Sequence, residues 1–360
     1  MTDVRRALIY FFLLMILGAG YVYVALYLPY QGFASGGVYV DIPRKASLRT
    51  IARLLEENGV VRSRLVFEGL CRSRKGRTLE AGEYFFDHPA TSFEVYDAIA
   101  NGRVYYKEFV VPEGLTMFDI AQLADSEGFV SRDEFLAAAR DASPIRDLAP
   151  AAPDLEGFLF PATYEFPRHM TGKAMTEAMV KKFRQEWSTL VSTDSPAHAS
   201  VLDVVTLASL VERETPRPEE RPHVAGVFEN RLRIGQPLEC DPTVAYALTL
   251  AGEYTGKLSS NDLHFASPYN TYRNRGLPPG PIANPGAAAL RAALNPPPTK
   301  DLYFVANTEG GHFFSKTLQE HNRNVARYRR LLEQSQNRRA SGVALLPAPA
   351  REKPSPARSR

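Results

Sequence analysis

Glu212 and Glu214 flank Arg213 at the end of an apolar run over 201–211, and Pro216 follows two residues later. Carboxyls are common general acids and bases, provided their surroundings tune the proton they carry. Apolar residues on almost every side of 201–211 predict a helix buried within a domain. Pro216 disfavours helical backbone at Thr215, so the helix is expected to stop there. Glu214 then falls in the last turn, above Leu207, Leu210 and Val211. Partial desolvation and the negative end of the helix dipole both oppose a charged carboxyl. The expected result is a raised pKa, the condition of a general acid that holds its proton near neutral pH. The same residues also suit a solvated glutamate paired with Arg213, worth about 0–1 kcal/mol. Pattern alone leaves both readings open.

Further downstream, polar residues recur without a complete motif of their own. Asp241 before Pro242 suits an N-cap with proline at the first helical position, or a substrate contact. Asn270, Thr271 and Tyr272 precede "RGLPPGPIANPG", whose four prolines stiffen the loop. Such a loop can be a sugar-binding wall or a rigid connector. "DLYFVANTEGGHFFS" predicts a hairpin turning at Gly310 and Gly311, with His312 and Ser315 facing a groove or solvent. Thr317 and Glu320 form a capping-box pattern for a last helix whose buried side carries His321, Val325, Tyr328 and Leu332. Neither Ser209 nor Ser315 sits in a nucleophile elbow, and no H-E-x-x-H occurs. Cys71 and Cys240 lie far apart, so two separate thiols are expected, a single bridge being the alternative. No metal and no cofactor is expected.

The elements that must carry these residues can be read next. With 360 residues and 44% apolar content the chain can build two ordinary domains and an accessory segment. Its net charge of +3 includes six basic residues and one acidic residue from Asn337 onward, which leaves the body near neutral. That argues against a nucleic-acid binder, which needs a basic face. No charged residue stands between Arg6 and Asp41, and the apolar stretch over 7–28 is long enough to cross a bilayer. It is too long for a signal peptide core, so an uncleaved anchor within 1–30 is expected. Arg5 and Arg6 place its amino end in the cytoplasm and the body outside.

A repeat follows. "IPRKASLRTIARLLEENGVV" (42–61) aligns without gaps on "VPEGLTMFDIAQLADSEGFV" (111–130), sharing Pro43/Pro112, Ile51/Ile120, Ala52/Ala121, Leu54/Leu123, Gly59/Gly128 and Val61/Val130. Each copy predicts a strand, a helix capped by Ser47 or Thr116, and a closing glycine. "SFEVYDAIANG" between them predicts a helix capped by Ser92. Residues 38–142 are therefore expected to form one small duplicated α+β module. It resembles LysM-like modules that bind cell-wall glycans, although a spacer would show the same pattern. The Pro- and Ala-rich 143–154 is expected to be a joint. A larger α+β domain should occupy 155–335, and 336–360 should be a disordered tail.

In order along the second half stand "VERET", "VFENRL", "PLECDPTVAYAL", "YNTYRNRGLPPGPIANPG", "AALNP", "LYFVA" and "GGHFFSKTLQEHN". This series resembles the YceG-like family of endolytic murein transglycosylases. The resemblance implies an α+β protein with one amino-terminal span, a LysM-like module and a catalytic domain. It further implies a lyase without cofactor or metal that cuts peptidoglycan strands between MurNAc and GlcNAc and leaves 1,6-anhydro ends. Glu214 becomes the catalytic residue. Glu212, Asp241, Asn270, Thr271, Tyr272, Ser315, His321 and Asn322 become supporting or substrate-binding residues. The implied location is the inner membrane with a periplasmic catalytic domain, and the implied partners are peptidoglycan and peptidoglycan synthases, with no nucleic acid. Cys240 departs from the family's T-D-P-T, because a thiol is a poorer donor than a hydroxyl. Two rivals predict other outcomes: a wall-binding scaffold without catalysis, and a hydrolase leaving reducing MurNAc ends.

Overall fold

The apolar amino terminus forms α1 (Thr2–Tyr27) in the computed structural model, which describes residues 2–74, 77–191 and 200–340. Within it Val4–Tyr27 has a mean hydropathy of 2.2, and about 20 such residues span a hydrocarbon core. Its last turn is not free. Ala25 is buried, its carbonyl accepts from the Ser92 hydroxyl at 2.7 Å, and Tyr27 packs on Phe93 with ring centroids 5.1 Å apart.

The repeat is realised twice, element for element. The first copy runs β1 (Val38–Ile42), α2 (Leu48–Glu57), α3 (Arg64–Ser73) and β2 (Gly82–Phe86), with β1 antiparallel to β2 and Val40 facing Tyr84. The second runs β3 (Lys107–Val110), α5 (Met117–Ser126), α6 (Arg132–Ala139) and β4 (Thr163–Phe166), with α4 (Ser92–Ala100) between the copies. Ser47 caps α2 by accepting from Thr50 N–H, and Thr116 with Asp119 makes a capping box on α5. Gly59 (φ 69°) and Gly128 (φ 75°) close the two helices in the left-handed conformation that favours glycine. The cap of α4 is Thr91, one residue before the expected Ser92, because the Ser92 hydroxyl is committed to α1.

The chain divides into two compact units, Met1–Glu108 with Glu165–His169, and Phe109–Tyr164 with Met170 onward. The expected module spans 38–142; the division runs through β3 and β4, with the helices of the first copy in the first unit and those of the second copy in the second. The Pro- and Ala-rich 143–154, expected as a joint, is packed within the second unit. Ile145, Ala149 and Ala152 are buried and Leu155 N–H donates to Ala139 carbonyl at 2.8 Å, because small side chains let this segment pack closely.

The first unit is built around Val40, Leu55, Phe67, Tyr84 and Ile99. The second continues with α7 (Gly172–Leu190), α8 (Val201–Glu214), α9 (Arg221–Arg233), α10 (Asp241–Ala251), α11 (Ala287–Leu294), the hairpin β5 (Tyr303–Ala306) and β6 (His312–Ser315), and α12 (Leu318–Ala340). Every residue of α8 from Val204 to Val211 is buried, as its all-round apolar pattern predicts. The helix ends at Glu214, with Thr215 already extended (φ −130°, ψ 126°) ahead of Pro216. Helices with short antiparallel pairs make this an α+β protein. The last helix passes the boundary expected at 335, and residues 341–360 of the expected tail lie outside the described residues.

Candidate active site

Three carboxyls gather around the end of α8, and their partners give each a different state. Glu212 is buried, accepts from Arg221 Nη2, and its Oε2 accepts from Gly286 N–H at 3.1 Å. Burial pushes its pKa up, against the Gly286 N–H and the Arg221 charge. Arg221, itself buried, also reaches Glu113 at 3.1 Å. Glu220 has its two oxygens on His312, one accepting from the backbone N–H at 3.0 Å and one from Nδ1 at 2.7 Å. Burial opposes its charge, yet these His312 contacts together hold its pKa below the ordinary value. As a carboxylate can only accept, His312 Nδ1 carries the proton of that bond.

Glu214 differs from both. It is half-buried, and its Oε2 accepts from the Cys240 thiol at 3.4 Å. Burial pushes its pKa up, and the nearby Asp241 carboxylate adds to the rise; the thiol, His312 and Arg231 work against it. Cys240 is buried, and its own pKa is pushed well up by burial and by Glu214, so it stays a protonated donor. Thiols are weak donors, so this partner opposes protonation of Glu214 less than a charged one would.

A pinned loop sets the thiol in place. Cys240, and not Asp241 as expected, is the N-cap of α10; Asp241 and Pro242 open its first turn. Glu239 before it adopts φ 51°, a left-handed backbone rarely taken by a non-glycine residue. Cys240 N–H donates to Thr271 Oγ1 at 3.0 Å, Thr243 Oγ1 lies 2.9 Å from Thr271 Oγ1, and Glu239 N–H donates to Thr271 carbonyl at 3.3 Å. Tyr272 hydroxyl donates to exposed Asp241 at 2.5 Å. The stretches around 240 and 271 thus form one wall beside Glu214.

The other expected residues divide. Asn270 is fully buried, its amide donating to Leu263 and Phe265 carbonyls at 3.0 and 2.8 Å and its oxygen accepting from Tyr272 N–H at 2.9 Å. Asn270 and Thr271, expected as substrate contacts, are buried and hydrogen-bonded within the wall. Ser315 is buried and accepts from Asn324 at 2.9 Å. His321 stacks on Tyr303 (5.3 Å, 30°), its Nδ1 is buried without a hydrogen bond, and burial lowers its pKa. Asn322 is exposed. None of the three bonds to Glu214. Among the described residues no group of three His, Cys, Asp or Glu is placed to hold a metal.

Several residues escaped sequence reasoning. Arg231, from "VFENRL", is buried and donates to Leu302 and Leu238 carbonyls at 2.7 and 2.8 Å, tying α9 to the wall. Glu156 is buried and accepts from Met117 N–H at 3.0 Å, Tyr246 hydroxyl at 3.1 Å and Asn284 amide at 2.8 Å. Burial pushes it up to about 8. The only signal in sequence was a glutamate set among apolar residues in "LEGFLFP".

A model of the YceG-like family matches residues 40–327 of this chain, which includes the whole site. The chain belongs to the YceG-like family. Among curated relatives, an endolytic murein transglycosylase of Bacillus subtilis is 34% identical over 331 residues, covering 87% of this chain and 91% of the relative. Another of that name, from Streptococcus pneumoniae, is 30% identical over 347 residues, covering 86% of this chain and 62% of its own length. A crystal structure of a YceG-like protein from Listeria monocytogenes is 33% identical, with a TM-score of 0.51, and covers 81% of this chain and 99% of that one. In this YceG-like chain Glu212 accepts from an arginine and Glu220 from a histidine, whereas Glu214 accepts from a thiol.

Proposed function

We propose that the chain is a membrane-anchored lytic transglycosylase that cuts peptidoglycan strands between MurNAc and GlcNAc, with Glu214 as its catalytic residue. The observation that carries this reading is the contrast among three neighbouring glutamates. Burial raises the pKa of both Glu212 and Glu214, but Glu212 is bonded to an arginine and Glu220 to a histidine, whereas Glu214 meets a thiol. A protonated carboxyl can give its proton to the glycosidic oxygen as the C1–O bond breaks. The muramyl 6-hydroxyl then closes on C1, and its proton goes to the Glu214 carboxylate. The acid is regenerated, no water is consumed, and the product ends in a 1,6-anhydro ring. Because closure is intramolecular, orientation of the sugar supplies much of the gain. Hydrolytic glycosidases usually use a second carboxyl as base or nucleophile. One carboxyl suffices here.

Around it, Asp241 with Tyr272 offers polar atoms to the sugar, while Glu212 holds the end of α8 to the Gly286 backbone. The α1 helix is read as the span, with its amino end in the cytoplasm, the remainder in the periplasm, and synthases as partners. The two β-α-α-β copies are read as LysM-like. In favour of a glycan ligand for the first is a cleft of about 600 Å³ lined by Asp41, Arg44, Glu83, Tyr105 and Tyr106, where Glu83 Oε2 is buried without a hydrogen bond.

Glu214→Gln keeps the shape and removes the proton. With full-length protein on purified sacculi, wild type is expected to release anhydro-muramyl ends by mass spectrometry, and the variant about 10²–10⁴-fold less. Reducing MurNAc ends from wild type would instead make it a hydrolase, and no new ends a scaffold.

A further inference from the structure

The geometry points to α3 as a second membrane contact, an interfacial helix that lies on the bilayer face where α1 ends and binds phospholipid phosphates. This rests on the reading of α1 as a span. Counting 20 residues of hydrocarbon from Ala7 brings the outer boundary near Leu26. Tyr21, Tyr23 and Tyr27 are exposed at that level, as an aromatic belt requires.

The contacts of α1 fix what else lies at that height. Its last turn is held to the first unit by the Ser92 bond to Ala25 and by a strand-like bridge from Tyr30 to Ala90, at 2.9 and 3.1 Å. Between α1 and α3 runs an open groove of about 580 Å³, lined by Val22, Leu26, Leu65, Val66, Gly69 and Phe93. Leu65 is 72% exposed although it shares this groove with Val22, a residue inside the counted span. A span placed across a bilayer therefore carries the apolar edge of α3 into the interface.

Charge around the edge fits phospholipid. Arg62, Arg64, Arg72 and Arg74 are exposed at or near the two ends of α3. The Arg62 guanidinium lies over the Tyr30 ring at 4.5 Å and that of Arg74 over Phe93 at 5.2 Å, and a guanidinium stacked by its face keeps its edge N–H donors for an anion. Arg72 is paired with Glu68 and Arg64 with Glu56, so Arg62 and Arg74 are the two best placed for phosphate. Basic residues near a charged leaflet are attracted by its surface potential and fade beyond a Debye length.

The test uses the full chain in vesicles containing anionic phospholipid, with Cys71→Ser and Cys240→Ser as background and one environment-sensitive dye. The dye is placed in turn by Leu65→Cys, by Leu14→Cys in mid-span and by Leu250→Cys on α10. Lipids carrying a quencher near the headgroup or deep in the chain report depth. Expected are quenching at Leu14 by the deep label, quenching at Leu65 by the shallow label, and none at Leu250. Adding Arg62→Glu with Arg74→Glu should lower quenching at Leu65 and leave Leu14 unchanged. A Leu65 dye that stays in water while Leu14 is quenched overturns the docking and leaves the span standing. An unquenched Leu14 overturns both. Quenching at Leu65 that ignores the charge reversals overturns the phosphate contact.

Discussion

At the residue scale the site depends on a weak donor. Cys240 gives Glu214 a thiol donor, and a hydroxyl in its place would stabilise the carboxylate more. Cys240→Ser is therefore expected to lower the Glu214 pKa. In the proposed mechanism the acid form is the active one, so the rate falls as pH rises through that pKa. The falling limb of the pH–rate profile should move to lower pH in the variant, measured as release of glycan from sacculi. An unchanged limb would remove Cys240 from the tuning of Glu214. The position of Glu214 at the end of a buried helix could be read from the apolar run and Pro216, because both signals are local. Its contrast with Glu212 could not, since Arg221 and Gly286 come to Glu212 only through the fold.

Elements meet at Glu156, which joins the start of α5, α10 and the loop at Asn284. Its folded pKa of about 8 lies above the ordinary glutamate value. A raised acid contributes stability that is present in full below the unfolded pKa, near 4.5, and is lost as pH rises through about 8. Glu156→Gln keeps an acceptor for Met117 N–H and the Asn284 amide. The wild type is expected to lose thermal stability relative to this variant between pH 5 and 9, by about 1 kcal/mol or more, read from Tm. Parallel pH curves would show that Glu156 ionises freely. Caps and closing glycines of the repeat were legible because Ser47, Thr116, Gly59 and Gly128 act on neighbours within a few residues. Ser92 misled the reading of α4, since its true partner is Ala25, 67 residues away.

For the whole molecule, likeness between the copies suggests one module, yet the division into compact units runs through β3 and β4 of the second copy, whose helices lie in the second unit. Sequence identity reports common descent and local structure; which core a copy joins is decided by contacts outside it. Phe109 and Phe135 of the second copy are buried with Phe158 and Phe183 in the second unit, whereas Phe67 and Tyr84 belong to the first core. In the proposed reading the α1 helix supplies attachment and no site residue. A chain beginning at Leu28 keeps the Tyr30 to Ala90 bridge. It is expected to leave the membrane fraction on cell fractionation and still release glycan from sacculi. Retention in the membrane would assign attachment to another segment.

The central claim is that Glu214 holds a proton when ordinary glutamates do not. Difference infrared titration of full-length wild type against Glu214→Gln isolates that carboxyl. The account predicts a protonated carbonyl band that persists above pH 4.5 and disappears as pH rises further. A band lost at the ordinary glutamate value, about 4.3, would contradict it.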